Sequence, residues 1–458
     1  MTARITMIGG GSNHWAPRLL SDFANTPSLE DAEVVLHDLD MSKVAPMVGY
    51  GEQIAQQRDI KLSVRGEADR KQALRGADFV VSAFSVGGFD SMRHDLEIPA
   101  RYGIRQPIGD SIGPGGVMRA LRSIPVVLGF GRDAAEVCPN ALFINVSNPL
   151  SALTRTVARE TGMRTVGLCN ELIGCAFVLS LLTDAPMHTI DPTVAGVNHF
   201  PMIVALRMGD DDGFAKVREV LDDLDGRGAE PIWMAPPEPM HWTKFSDGEQ
   251  WTKADVVANT PVKLELFRRF GVMPGAHDHH VVEFMPGFVN DLNAHGESWR
   301  IHHYGLSGHM EDADDDVRDF EERLQSSEVT RFPSGELVAN LIDGVVSGKA
   351  RALPMNLPNT GQIPDLPPGV VVEAMGVADG DGVRARDVAT VGGILGEYVR
   401  RTVTAQELTV DAGILGDRTL AFEAMLADPI AGRLPYEAAA AMTGEMLDAL
   451  EPWLPQFA

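Results

Sequence analysis

An apolar run that ends in consecutive glycines and opens onto a helix limits the fold of this chain more than any other feature. Arg4-Ile-Thr-Met-Ile8 reads as a buried strand, Gly9-Gly10-Gly11-Ser12 breaks it, and residues 16–24 have helical character. Strand, glycine turn and helix start together make a phosphate cradle, because the first helical N–H groups are free and the helix dipole is positive there. The G-x-G-x-x-G pattern is incomplete, since His14 stands where the third glycine would be. Val34-Val-Leu-His-Asp38 then reads as a second strand ending in an acid. A carboxylate there accepts both ribose hydroxyls of an adenosine and repels a 2′-phosphate, which favours NAD over NADP. Its distance from the glycines exceeds the usual ~20 residues, and the loop at 27–31 absorbs the excess.

The alternation continues. Residues 78–82, 141–145 and 166–168 read as strands, and 119–130, 150–160 and 171–182 as helices, with Gly162 a C-cap. Strands alternating with helices predict an α/β fold with a doubly wound, Rossmann-like parallel sheet over residues 1–190. Beyond His199 the pattern loosens, and a second α+β domain is expected over 191–458. Residues 207–258 read as irregular, with Trp233, Trp242 and Trp251 scattered among Pro and Asp. Residues 260–270 read as a helix stopped by Gly271, and 311–324, strongly acidic, as a solvated helix. His302-His303-Tyr304 and a helical stretch at 408–426 read as structural.

The charge balance narrows the partners. With 39 basic against 64 acidic residues the chain carries −25, which argues against nucleic acid and anionic membranes. Three cysteines (138, 169 and 175) without regular spacing suit a reducing cytoplasm rather than a disulfide framework. No apolar run approaches the ~18 residues of a membrane span, and nothing at the N-terminus reads as a signal peptide.

Two apolar runs end in groups that bind metals. Residues 166–168 lead into Cys169-Asn170, and Ala195-Gly-Val leads into Asn198-His199. Ligands sit at the carboxyl ends of strands in open α/β sheets, and a thiolate with an imidazole suits a borderline or soft divalent ion. Either residue alone reads more simply as core or surface. The segment Gln106-Pro-Ile-Gly-Asp110-Ser-Ile-Gly113-Pro-Gly115-Gly116 carries four Gly and two Pro, costly to order, with Asp110 its only acid. His277-Asp278-His279-His280-Val-Val-Glu283 is dense in imidazole and carboxylate. It reads either as a solvated helix start or as a source of proton-transfer groups beside a metal.

In this order, the glycine turn, Asp38, the Asp110 segment, Asn148-Pro149, Cys169-Asn170-Glu171 and Asn198-His199 resemble glycoside hydrolase family 4, the NAD- and manganese-dependent glycosidases. The run from Gln106 to Pro125 looks closest to the melibiase-type α-galactosidase and α-glucosidase branch. The resemblance extends to Asn356-Leu-Pro-Asn359-Thr-Gly361 and Glu373. It implies a dehydrogenase-like fold of the lactate and malate type, and a homodimer or homotetramer acting on a small α-hexoside, an α-galactoside or α-glucoside, with a uronide or phospho-sugar as the alternative substrate. It also implies that Gly9, Gly10, Gly11 and Ser12 hold the NAD pyrophosphate and Asp38 the ribose. Cys169 and His199 would ligate Mn²⁺ or a similar ion, Asn148 and Asn170 would contact the sugar, and Asp110 would protonate the leaving oxygen.

Two departures stand out. Asn170 occupies a place that is usually His in the melibiase and α-glucosidase branches, and it is followed by Glu171-Leu172 rather than the Val-Pro of the 6-phospho-β-glucosidases. No Tyr, the C2 base of the phospho-sugar branches, lies within 277–284; the resemblance makes His277 the first candidate base, in the place of an Asp in an α-glucosidase-like Gly271-Val-Met-Pro274 context, with Asp278 and His280 next. The implied mechanism departs from the usual carboxylate pair. C3 is oxidised by NAD⁺, the acidified C2 proton is lost, and the C1–O bond breaks by elimination before water and hydride return. A 2-hydroxy-acid dehydrogenase would share the nucleotide half without needing the Cys and His, and would accumulate NADH. A sugar-nucleotide sensor would not need Asp110, Cys169 and His199 together.

Overall fold

Among the described residues a single 13-stranded sheet runs through the molecule, and its parallel half follows from the alternation described above. In the computed structural model, residues 2–226, 252–326 and 334–458 are described; Trp233, Trp242 and Trp251 lie outside them. The strands are β1 (Arg4–Ile8), β2 (Glu33–His37), β3 (Ser63–Gly66), β4 (Phe79–Ser82), β5 (Leu142–Asn145), β6 (Thr165–Gly167), β7 (Ile190–Val197), β8 (Phe200–Met208), β9 (Asp211–Asp212), β10 (Met273–Pro274), β11 (Arg351–Pro358), β12 (Val371–Asp379) and β13 (Gly382–Ala385). The order β3-β2-β1-β4-β5-β6 is parallel throughout and reverses direction between β1 and β4, which opens a ligand crevice at their carboxyl ends. Alternate residues serve opposite faces: Ile5, Met7, Val81 and Ile144 pack in one core, and Ile8, Val80 and Phe143 in the other. Every residue of β4 and β5 is buried, as expected of parallel strands covered on both sides.

The second half of the chain extends this sheet. β11 joins β6 antiparallel, and β12, β7, β8 and β10 follow, all antiparallel. The division expected near residue 190 therefore falls inside a continuous sheet. Local structure differs from the sequence reading in three places. The segment 207–258 is not uniformly irregular, since it holds the helices Gly213–Gly226 and Lys253–Asn259. The helix expected at 119–130 spans Gly113–Val137, and its first turn is glycine because backbone comes close: a Cβ on Gly116 would lie 2.5 Å from the Ser111 carbonyl carbon. The stretch 408–426 is two helices, Gly393–Leu415 and Arg418–Ala427, parted by Gly416 at φ 67°. Gly162 caps its helix as read, at φ 67°.

Packing in the second half sets the site. Phe200, first residue of β8, stacks on Phe284 of the helix Asp278–Phe284 with centroids 4.8 Å apart, in a core shared with Val197, Met202 and Val281. One residue before Phe200 is His199, and one turn before Phe284 is His280. The apolar stack thus brings two imidazoles together.

Candidate active site

The nucleotide end of the site is local in origin. Gly9 has φ 87°, and its Cβ would lie 1.7 Å from the Ala83 carbonyl oxygen, so no side chain fits between β1 and β4. The amides of Gly9 and Gly10 both donate to the His37 carbonyl at 2.9 Å. Gly11 donates to Asp38 Oδ2 at 3.1 Å, which fixes the carboxylate beside the glycine turn. Gly9, Gly11, Ser12, Asp38, Lys43, Arg119 and Asn148 help line a groove of about 1000 Å³, large enough for a dinucleotide. His14, in the third glycine's place, bonds Asp316 of the helix Gly305–Gln325 at 2.9 Å. That helix is more than the solvated surface the sequence suggested.

The other end is assembled from distant segments. Asp110, His199 and His280 place one ligand atom each within 4.8 Å of the others. Asp110 comes from the glycine-rich segment, and His199 from the two-residue turn between β7 and β8, at φ 64°. Ser111 Oγ donates to Asp110 Oδ1 at 2.8 Å and lies 2.9 Å from His199 Nδ1. A hydroxyl has one proton, so His199 Nδ1–H donates to Ser111 and Nε2 keeps its lone pair. Nδ1 of His280 is buried with no hydrogen-bond partner among the described residues. Two imidazole nitrogens and a carboxylate suit a divalent cation such as Mn²⁺, and so the donor set fits the group the resemblance implies.

Burial governs the charges. It would raise the Asp110 carboxyl, but His199, His280, Arg119 and the Ser111 bond outweigh it and hold the group below the ordinary carboxylate range. Burial, with His280 alongside, pushes His199 down to about 4. Asn148 Nδ2 donates to Asp110 Oδ2 at 2.8 Å, joining the nucleotide groove to this cluster.

Cys169 is not among the three clustered donors. Its thiol is pushed well up by burial and by the Glu373 and Glu171 charges, against hydrogen bonds from the Glu171 amide and the Asn198 side chain. It thus touches Asn198, the residue that precedes His199. Asn170 is exposed and donates to Glu336 at 3.2 Å.

Of the candidate bases, His277 and His280 line a second cavity of about 510 Å³ and Asp278 does not. Asp278 accepts the amides of Val262 and Lys263 at 2.8 and 3.1 Å, and so starts the helix Pro261–Phe270. His277 donates its amide to Glu171 Oε2 at 2.5 Å and stacks on His279, and burial holds its imidazole well below the usual range. His302, His303 and Tyr304, read as structural, line the same cavity with Glu171, His309 and Asp312. His302, His303, Tyr304, His309, Asp312 and Ser111 carry no signal in the sequence beyond their types, because what places them is tertiary, whereas Glu171 and Glu283 lie in motifs singled out above.

Residues 4–184 match the model for family 4 glycosyl hydrolases, and residues 194–431 match that of the family's C-terminal domain. The chain is 30% identical to an alpha-galacturonidase of Thermoanaerobacterium saccharolyticum, over 98% of this chain and 96% of that protein. It is 26% identical to an alpha-galactosidase of Bacillus subtilis, over 99% of each. The solved structure of the Bacillus subtilis protein lplD superposes with a TM-score of 0.84 at 26% identity, covering 97% of this chain and all of that one.

Proposed function

The chain belongs to the family 4 glycosyl hydrolases, and from that premise we propose that it cleaves a small α-hexoside, an α-galactoside or α-glucoside, by oxidation at C3, deprotonation at C2 and elimination. The observation that carries this reading is the meeting of two cavities at one cluster. Asn148 of the nucleotide groove bonds Asp110, and His280 of the histidine-lined cavity lies beside His199. A sugar in the second cavity therefore presents its ring to the groove across Asp110 and His199.

Bound NAD⁺ would accept and return the C3 hydride, while a divalent ion held by His199 with Asp110, His280 or Cys169 would polarise the C3 oxygen. The remaining steps belong to the chain. Gly9, Gly10, Gly11 and Ser12 cradle the pyrophosphate and Asp38 the ribose. His277, kept neutral by burial, takes the C2 proton; it is a weak base that suffices because a C3 ketone acidifies that proton. Asp110, ionised in the free chain, takes a proton from solvent and passes it to the leaving oxygen, with the Ser111 hydroxyl orienting its carboxyl. Asn148 and Asn170 contact the ring. The division at residue 190 then separates a nucleotide-binding half from a substrate-binding and oligomer-forming half, in a cytoplasmic homodimer or homotetramer.

Nitrophenyl α-galactoside, α-glucoside and α-galacturonide, each with NAD⁺ and Mn²⁺, test the reading. Sugar should be released with no lasting absorbance change at 340 nm, and product formed in D₂O should carry deuterium at C2. Product without deuterium at C2 rules out elimination. Steady NADH formation from a 2-hydroxy acid, without sugar release, makes the chain a dehydrogenase.

A further inference from the structure

The helix Asp278–Phe284 touches the Asp110 segment a second time, three residues after His280. Glu283, 1% exposed, accepts the amide protons of both Ile108 and Gly109 on Oε1, each at 2.9 Å. Residues three apart share a helix face, so the face that presents His280 to Asp110 and His199 also presents Glu283 to the turn that carries Asp110. We propose that Glu283 is a positioning residue, which locks the Asp110 turn in register with the imidazole pair by holding two successive amides on one oxygen.

Three features support this assignment. Gly109 has φ 76° and its Cβ would lie 2.7 Å from Leu96, so the turn has one backbone path past Glu283. The turn's carbonyls are held from elsewhere, Pro107 by the Tyr304 amide at 2.9 Å and Ile108 by His309 at 3.2 Å, whereas the amides at 108 and 109 rely on Glu283. A buried carboxyl spent on backbone amides costs desolvation that an apolar side chain would avoid, which is explained if it fixes a particular geometry. Burial pushes this carboxyl up to about 8, so near neutrality the group is an acid that an amide side chain imitates in shape and charge.

The test compares Glu283→Leu, Glu283→Gln and Glu283→Asp in the full chain. Gln keeps an oxygen for both amides, Leu removes it, and Asp withdraws it by one methylene. Hydrogen exchange of the free protein should show residues 108–113 at least tenfold less protected in the Leu and Asp variants, and within threefold of wild type in the Gln variant. With the glycoside of the proposed reaction, Leu and Asp should lower kcat about 10–100-fold while KM and NAD affinity stay within threefold, and Gln should restore kcat. Should the Leu variant not fold, Asp against Gln makes the same comparison. Unchanged exchange in Leu and Asp, kcat within twofold of wild type, or a Gln variant as impaired as Leu would each overturn the assignment. The clamp rests on the proposed function only in its kinetic arm: a wild-type chain that cleaves no glycoside refutes that function, while exchange still reports on the clamp.

Discussion

The two ends of the site are built in opposite ways. The nucleotide groove is made by neighbours in sequence: one turn, 9–12, and one strand end, 38, hold each other through a bond from Gly11 to Asp38. The Asp110 cluster is made by segments that meet only in the folded chain, at 110, 199, 280 and 283. A local site tolerates changes elsewhere, because its geometry is set by a few backbone dihedrals. A convergent site depends on each element that aims a group at it, so small displacements are costly.

The largest expected effect follows from that dependence. Asp110→Asn should lower turnover of alkyl glycosides about 10²–10⁴-fold, because an amide cannot protonate the leaving oxygen. Nitrophenyl glycosides, whose leaving group needs little help, should lose far less. Equal losses on both substrates would remove Asp110 from the leaving-group step. Cys169→Ser comes next. If Cys169 joins His199 in holding the ion, metal affinity should fall about 10–100-fold, since a hydroxyl replaces a thiolate. Full metal occupancy and activity in this variant would leave the ion to Asp110, His199 and His280.

The local end gives a comparable number for a simpler reason. Asp38 should repel a 2′-phosphate by on the order of 1–3 kcal/mol, so NADP should bind roughly ten- to a hundredfold more weakly than NAD. Titrating both dinucleotides measures it, and equal affinities would place Asp38 away from the ribose.

The difference between the ends also explains what could be read beforehand. Strand, turn and acid at 4–12 and 34–38 follow rules of sequence spacing, and the parallel order follows from the alternation. Asp110 and His199 were visible as chemistry on a costly loop and at a strand end, but their separation was not. His302, His303 and Tyr304 looked structural because spacing cannot show that residues 302–312 fold over His277. Asp278 looked like its histidine neighbours, yet it starts a helix at Val262. The sheet's continuation past residue 190 was hidden because β11 pairs with β6, and β12 with β7, across long sequence separations.

Stability against pH isolates Glu283 from the other buried acids. Burial raises its carboxyl from 4.5 to about 8, so its contribution to stability is fully present below about pH 4.5 and is lost as pH rises through 8. Glu283→Gln does not titrate there, while Asp428, raised by burial to about 6, is present in both proteins. The stability of wild type relative to Gln should therefore decline between pH 5 and 8.5, by on the order of 1–3 kcal/mol, since a tenfold change in proton affinity is worth about 1.4 kcal/mol. Urea unfolding at the two pH values measures it. A difference that grows with pH would mean that the carboxylate, not the acid, is the stable form in the fold.

The smallest effect bears on whether the two ends are linked. Asp316 lies on the acidic helix that also supplies His309 and Asp312 to the histidine-lined cavity. Its carboxylate bonds His14 at 2.9 Å and Arg18 at 3.1 Å, at the start of the helix after the glycine turn. Both partners are partly exposed, with 42% and 24% of their side-chain surface accessible, so solvent screens the interaction and Asp316→Asn should cost less than about 1 kcal/mol. If the helix only covers the surface, that cost appears in global stability and nowhere else. If it couples the ends, NAD affinity and glycoside KM should shift together, about two- to threefold, because one helix touches both cavities. Added salt should shrink the difference from wild type, as it does for any exposed ion pair. A change in NAD affinity alone would confine Asp316 to the nucleotide end and leave the two halves of the site independent.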